Sequence, residues 1–504
     1  MDSYVERSWW QRNRRKVLVA SVVLVLVAGG VVGLAWWGGR CAAGVQEVDG
    51  ECIGMTDGSY KFGSDDPAEN PLADVLQRIK EENDRVLAEG KGYVSIAYLA
   101  PMSLAEGDTV TLEATRNALR GAHLAQLRAN REKGGWEGDF PLIRLLPANP
   151  GSQLQKWDPV VKQIRAAQFT PDRVVAVAGL GQSHESTAKA IQWLSEQRIP
   201  MVGATITADI FTDLEARGEF SGLVRVSPTN TEQVRAIVQR LSDTRKAMLV
   251  KDINQSDLLA NNLSSAFTRE YEKDGRDVVL AEYDSSRGTA NIFPGMVRNI
   301  CAAQPGAIFF SGRYNDLTLL VGALKNRPCG DLNLRVVTLD SVVDIAGVDE
   351  VRKNLSPNTT LEYTHLSAPQ AWNAVPEAFD GAATGYFRDS YREFFGLGST
   401  GDGMAITSYD AVGVAVTAIN RAADNRRDLK SITADTVAGQ LLAMRGTEGV
   451  RGASGCISFD SVGHPVDKAI SVFRLSIDDT SSSAEIVPAV VSGSGHVLPG
   501  RCKT

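Results

Sequence analysis

Short apolar runs alternate with polar turns and amphipathic stretches along most of this chain. YVSIAYLA (93–100) precedes a helical stretch from about Thr109 to Arg131. PLIRLLP (141–147) precedes Leu154 to Gln168, and RVVAVAGL (173–180) precedes Ser183 to Gln197. IPMVGA (199–204), GLVRV (222–226), KAMLVK (246–251), DVVLAEY (277–283), GAIFFSG (306–312) and LRVVTLD (334–340) continue the strand series. Helical stretches at Glu232–Leu241, Leu258–Tyr271 and Asp316–Lys325 lie between them. The runs are continuous Val, Ile, Leu and Ala, which suits parallel strands buried on both faces. Strand–helix alternation predicts doubly wound α/β layers. The strands are too many for one such sheet, and 504 residues are too many for one core. The pattern therefore predicts two lobes.

The first 92 residues have a different texture. Val17 to Trp37 is a run of 21 residues without a charge. As a helix it spans roughly 31 Å, close to the ~30 Å hydrocarbon core of a bilayer. Arg12, Arg14, Arg15 and Lys16 precede it and only Arg40 follows closely, which predicts a cytoplasmic N-terminus and an extracytoplasmic remainder. Trp9, Trp10, Trp36 and Trp37 bracket the run as interfacial aromatics do. A cleaved signal peptide and a buried core helix are the rival readings. The length of the run and the Trp-Trp-Gly-Gly-Arg that follows argue for an uncleaved anchor. Residues 38–92 read as a juxtamembrane linker. Pro71 opens a helix with Leu72, Val75, Leu76, Ile79, Val86 and Leu87 at helical spacing, and Gly90 closes it. The expectation is a spacer helix, with a partner-binding helix as the alternative.

A net charge of −7 argues against a general nucleic-acid binder, which needs a basic face. The six cysteines form no CxxC pair and no zinc spacing with histidine. An extracytoplasmic compartment suits disulfides. Cys41 and Cys52 bracket a short polar loop, and Cys301 and Cys329 flank the strand GAIFFSG and its helix. Cys456 and Cys502 are left as a third pairing, although connectivity cannot be read from spacing. Ser183-His184 are adjacent, a poor geometry for a nucleophile–base pair, and no G-x-S-x-G, phosphate-binding loop or H-E-x-x-H occurs. Neither an enzyme nor a cofactor or metal site is expected.

Several longer segments resemble the type I periplasmic-binding-protein family, in particular its branched-chain amino-acid-binding branch. They are VVAVAGLGQSHESTAKAIQWLSEQRIPMVGATITAD (174–209), FSGLVRVSPTNTEQVRAI (220–237), SYDAVGVAVTAINRAA (408–423) and GVRGASGCISFDSVGHPVDKAISVFRL (449–475). The resemblance covers about Tyr93 to Leu475. It implies two Rossmann-like lobes joined by three chain crossings, near Arg225–Thr229, Thr360–Tyr363 and Gly446–Gly449. The first lobe would combine 93–226 with 362–446, and the second 227–361 with 447–490. Before them would stand a cytoplasmic tail (1–16), the transmembrane helix (17–37) and the linker (38–92), with a tail at 491–504.

Ligand would bind between the lobes, at the carboxyl ends of strands. On the first lobe the candidates are Gly181, Gln182 and Ser183, a helix-opening turn that suits an anion. In the family this serine turn contacts the ligand's carboxylate. Ala204, Thr205 and Thr207 offer small hydroxyl groups after the next strand. Pro101 and Ser103 follow the first strand, where the family carries a Gly-rich segment that SLAEGDTVTL replaces here. From the second lobe come Asn254, Arg313 for an anion and Asp340 for an ammonium. Related binders often place an aromatic where this chain has DINQSDL, which weakens the case for an amino acid. Each of these residues also has an ordinary structural reading, as a helix cap, a turn or a solvated strand end. The expected function is capture of a small polar, amino-acid-like ligand by hinge closure, for delivery to an ABC permease. A membrane-tethered sensor or scaffold acting through a signalling partner is the alternative.

Overall fold

The computed structural model describes residues 41–491 apart from internal stretches, the longest being 212–221, 341–350, 397–402 and 478–484. The first seven strands are β1 (Val45–Val48), β2 (Glu51–Met55), β3 (Tyr93–Leu99), β4 (Leu142–Asn149), β5 (Val174–Gly179), β6 (Met201–Gly203) and β7 (Leu223–Arg225). They form one sheet in the order β1-β2-β4-β3-β5-β6-β7. Next come β8 (Lys246–Asp252), β9 (Asp277–Tyr283), β10 (Ala307–Ser311), β11 (Leu334–Thr338) and β12 (Thr359–His365). β13 (Val450–Gly452) and β14 (Gly455–Ile457) make a separate hairpin, and β15 (Ala469–Leu475) and β16 (Glu485–Val491) end the series. The second sheet runs β16-β15-β12-β11-β10-β8-β9.

Both sheets are mixed. From β4 to β7, and from β12 to β9, neighbours are parallel, as the buried apolar runs predict. The outer strands β1 and β2, and β15 and β16, are antiparallel additions, of which the C-terminal one matches the strand that the sequence suggests at Ile486–Val491. Each sheet is covered on both faces by its own apolar clusters. On the first sheet the helices Leu112–Arg131 and Met404–Ala423 cross at Gly121. A Cβ there would lie 1.9 Å from the Ala405 carbonyl oxygen, so only glycine permits the approach.

The helix Ala73–Ala88 is no spacer. Val75, Leu76, Ile79 and Val86 are fully buried in the first lobe's core. Asn83 donates to the Leu145 carbonyl (2.7 Å) and accepts from the Leu145 N–H (3.0 Å), splicing the helix to β4. Glu82, 1 % exposed, is held by Arg85, Asn130 and Arg131. With β1 and β2 added to the sheet edge, the segment expected as a linker over 38–92 supplies two strands and a helix of the first lobe from Val45 onward.

The chain passes from β7 into the helix Asn230–Arg240 through 226–229, where Thr229 and Glu232 close a capping box. The second and third crossings lie later than the resemblance implied. β12 is wholly in the second sheet, so the crossing expected at 360–363 follows His365. The hairpin β13–β14 packs Val450, Ala453, Ile457 and Phe459 into the first lobe's core, so the third crossing lies between Phe459 and β15 rather than at 446–449.

Disulfides join Cys41 to Cys52 and Cys301 to Cys329. Cys456 is disulfide-bonded as well. Cys502 and the apolar run 17–37 lie outside the described residues. Among the described residues no helix is long and apolar enough to cross a membrane.

Candidate functional site

The turn after β5 meets the end of β10 across the gap between the lobes, where Arg313 reaches the Ser183 carbonyl. On the first lobe, Leu180 and Gly181 both adopt positive φ (+72° and +61°) and turn the chain sharply out of β5. The positive φ of Gly181 favours glycine, and a Cβ there would also press on the Leu154 side-chain tip at 2.6 Å. The helix that follows is Glu185–Glu196, and its N-cap is His184 with no side-chain cap bond. Ser183 is therefore not the cap. Its hydroxyl instead accepts the N–H groups of Thr207 (3.1 Å) and Ala208 (3.2 Å), tying the two turns together. Thr205 donates to the Gly181 carbonyl (2.6 Å), and Ala204 and Thr207 are buried. Gly181, Gln182, Ser183, Ala204, Thr205 and Thr207 thus form one wall, with the hydroxyls of Ser183 and Thr205 already engaged.

Pro101 and Gln182 line a narrow pocket with Leu104, Asp108, Val110, Gln153, Leu154 and His184. Its volume of ≈ 10 Å³ is about that of one water. Ser103 is placed elsewhere. It donates to Glu51 on β2 (2.6 Å) and accepts from Asn149 (3.1 Å), so it anchors the N-terminal hairpin rather than facing a ligand. Asn254 is likewise used locally, accepting from the Ser256 N–H (3.1 Å) and donating to Ser285 (3.1 Å).

Arg313 and Asp340 stand at neighbouring strand ends of the second sheet, after β10 and β11. Arg313 grips Asp257 through Nε–Oδ2 (2.6 Å) and Nη2–Oδ1 (2.9 Å). Its Nη2 also donates to the Ser183 carbonyl of the first lobe (3.3 Å). Burial by itself would raise the Asp257 carboxyl, but Arg313 outweighs it and holds the group below its usual range. Burial pushes His184 down to about 3, and Arg313 adds to the effect, so its ring is neutral.

Around this pair lies a set of acids that strand-by-strand reading did not assemble. Asp252 ends β8, Asp316 opens the helix Tyr314–Lys325, and Tyr283 ends β9. Asp316 accepts the hydroxyls of Thr289 (2.7 Å) and Tyr283 (3.3 Å). Gly312 makes room for the latter, since a Cβ there would sit 1.9 Å from the tyrosine oxygen. Burial and the neighbouring Asp252 raise the Asp316 carboxyl. Burial pushes Asp340 up to about 6, against the pull of its own backbone N–H, the Gln233 side chain and Arg313. The signal available in the sequence was the acid at two of the second lobe's strand ends, KAMLVKD and LRVVTLD.

Further interlobe contacts were not foreseen. The Asp209 N–H of the first lobe donates to Asn262 Oδ1 of the second (2.9 Å), which also takes Asn230 Nδ2 from its own lobe (2.8 Å), and Asp209 accepts from the Thr231 N–H (3.1 Å) and hydroxyl (2.7 Å). They sit beside the first crossing and hold the lobes at their present angle.

Two α/β lobes with a polar cleft at their strand ends define a bilobal binding protein. The chain belongs to the periplasmic binding protein family, whose model matches residues 94–481. No curated protein matches its sequence. Among solved structures it is similar to a leucine-binding protein from Thermotoga maritima, at 19% identity and a TM-score of 0.60 over 80% of this chain and 99% of that one. A branched-chain amino acid transporter substrate-binding protein from Streptococcus pneumoniae, in complex with isoleucine, matches at 17% identity and 0.60, over 79% and 100%. A solute-binding protein of an ABC transporter from Rhodopseudomonas palustris, in complex with p-hydroxybenzoic acid, matches at 14% and 0.58, over 80% and 98%. These likenesses establish the fold. The bound molecules differ in charge and shape, so they do not select a ligand.

Proposed function

We propose that this protein captures a small polar solute in the cleft between its lobes and passes it, on the extracytoplasmic side, to an ABC-type permease. The observation that carries the reading is the Arg313 bridge, one guanidinium bound to Asp257 of its own lobe and to the Ser183 carbonyl of the other. A side chain that touches both lobes at strand ends makes lobe closure and cleft occupancy one equilibrium. A solute that contacts both walls stabilises the closed form in proportion to its preference for it. Gly181, Gln182, Ser183, Ala204, Thr205 and Thr207 form the first wall, and Arg313 and Asp340 the second; Pro101 borders the first. Ser103 and Asn254 are withdrawn from the ligand set.

The test is thermal unfolding of the full chain with a panel of amino acids, amines, carboxylates and sugars. A solute at 100 times its dissociation constant adds about 2.7 kcal/mol. A binding solute is expected to reduce the radius of gyration measured by X-ray scattering. Binding that leaves the radius unchanged, or that survives Ser183→Trp, overturns the cleft as the site.

A further inference from the structure

We infer that the cleft selects a cationic amine that carries no free carboxylate. The inference rests on the cleft reading above and names the chemical class of its solute.

The second lobe presents Asp252, Asp257, Asp316 and Asp340 around the end of β10. Only Asp257 is matched by a cation, Arg313. Asp316 is met by two hydroxyls. Asp252 is fully buried, and its Oδ1 accepts the N–H groups of Asn254 (3.0 Å) and Ser285 (3.1 Å). Its Oδ2 has no hydrogen-bond partner. Asp340 is 8 % exposed, and among the described residues its Oδ1 has no partner within hydrogen-bond distance, the buried Gln233 side chain being the neutral donor that stands beside the carboxyl. In the strand order β11-β10-β8 these two orphan oxygens belong to the strands on either side of Arg313. A buried carboxylate oxygen without a donor is costly, and a multi-proton ammonium is the donor that supplies both hydrogen bonds and charge.

Among the described residues, the first lobe's strand ends offer an anion no cationic side chain. The segments 100–105, 180–184 and 204–211 contain no lysine or arginine. The hydroxyl of Ser183 is taken by two backbone N–H groups, and that of Thr205 donates to Gly181. Arg313, the one cation at the second lobe's strand ends 252–257, 312–313 and 339–340, is neutralised by Asp257. A ligand carboxylate would have to break that pair and stand among three further acids. An amine meets the acids directly.

The experiment uses the full-length chain and isothermal titration with three sets of probes: alkyl mono- and diamines, zwitterionic amino acids including leucine, and carboxylates including 4-hydroxybenzoate. At least one amine is expected to bind more tightly than every zwitterion or carboxylate. Asp340→Asn and Asp252→Asn are each expected to weaken it about tenfold or more, the worth of one charged hydrogen bond. Apo unfolding curves establish that each variant folds, and Asp340→Asn serves if Asp252→Asn does not. Tighter binding of a zwitterion or carboxylate overturns the inference and leaves the cleft reading standing. Amine binding indifferent to both substitutions overturns the inference as well. No binding from any set overturns both.

Discussion

Arg313 and Ser183 meet across the gap between the lobes, the guanidinium Nη2 donating to the serine's backbone carbonyl at 3.3 Å while it also holds Asp257. The contact uses the backbone of the turn, so it depends on the fold of the Gly181–Ser183 segment rather than on the serine hydroxyl. On the proposed reading, it would make a closed arrangement available to the protein without a ligand, and a ligand would shift a population that already exists.

Arg313→Ala is expected to open the lobes. It removes the interlobe bond and leaves Asp257 buried without its cation, a change worth about 3–5 kcal/mol for a buried pair broken on one side. Asp257→Ala should cost a similar amount, and the double variant clearly less than the sum. Urea unfolding of the four proteins gives the cycle, and X-ray scattering of the apo proteins should show a larger radius for Arg313→Ala. Additive costs would mean that the pair is not coupled.

Asp340→Asn should make the apo protein more stable at neutral pH. The folded carboxyl is raised to about 6 from an ordinary 3.8, so the folded state binds the extra proton between those values. Stability is therefore lost as pH climbs from about 4 to above 6, up to roughly 3 kcal/mol at one group. The asparagine variant, which imitates the protonated form, should gain that much at pH 7.5 and nothing at pH 3.5. Melting curves at the two pH values check the sign. A residue whose removal stabilises the fold while weakening capture is one retained for binding.

A buried trio clamps the third crossing. Lys468, 1 % exposed, donates to the carbonyl (2.7 Å) and hydroxyl (2.5 Å) of Ser454, and Asp410 accepts the N–H groups of Ala453 (2.7 Å) and Ser454 (2.8 Å). Burial pushes Lys468 down to about 8 and raises Asp410, and each pulls the other back. Asp410→Ala strips Ala453, Ser454 and Lys468 of their acceptor or partner charge and should cost about 3–5 kcal/mol. Asp410→Asn with Lys468→Met should recover part of it. Chemical denaturation monitored by circular dichroism reads both.

Removing residues 1–92 should abolish folding of the first lobe, whereas a chain beginning at Cys41 should unfold cooperatively. The helix Ala73–Ala88 fills the core beside β4, and its loss would uncover the Leu145 backbone that Asn83 satisfies. Size-exclusion chromatography and melting curves of the two truncations distinguish a structural segment from a linker.

Most strand positions could be read from the chain, since a core strand of a parallel sheet is a continuous apolar run bounded by turns. β12 could not. TTLEYTH reads as polar, yet it is the middle of the second sheet, and Glu362 within it is fully buried. Arg240, Arg335 and Arg474, from three separate elements, surround that carboxylate at 3.1, 3.3 and 3.0 Å. A polar residue is acceptable in a core once its partners arrive, and those partners are far away in sequence. The short edge strand β1, VQEV, escaped for a related reason, because it is held by a neighbouring strand and a disulfide rather than by its own pattern.

Apolar periodicity by itself determined the α/β class and the two-lobe division, while the turns expected at the gap came from the family resemblance and the two disulfides were only suggested by cysteines that flank local loops. The class and the division depend on local pattern, and a strand's carboxyl end is legible wherever its apolar run stops. Tertiary structure decided which of the facing groups are free. Ser183 and Thr205 spend their hydroxyls on backbone, Ser103 turns to Glu51, and Arg313 is taken by Asp257. Asp252 and Asp340 are left with unmet oxygens. Hydrogen-bond satisfaction belongs to pairs of groups brought together by folding, so no single stretch of the chain carries it.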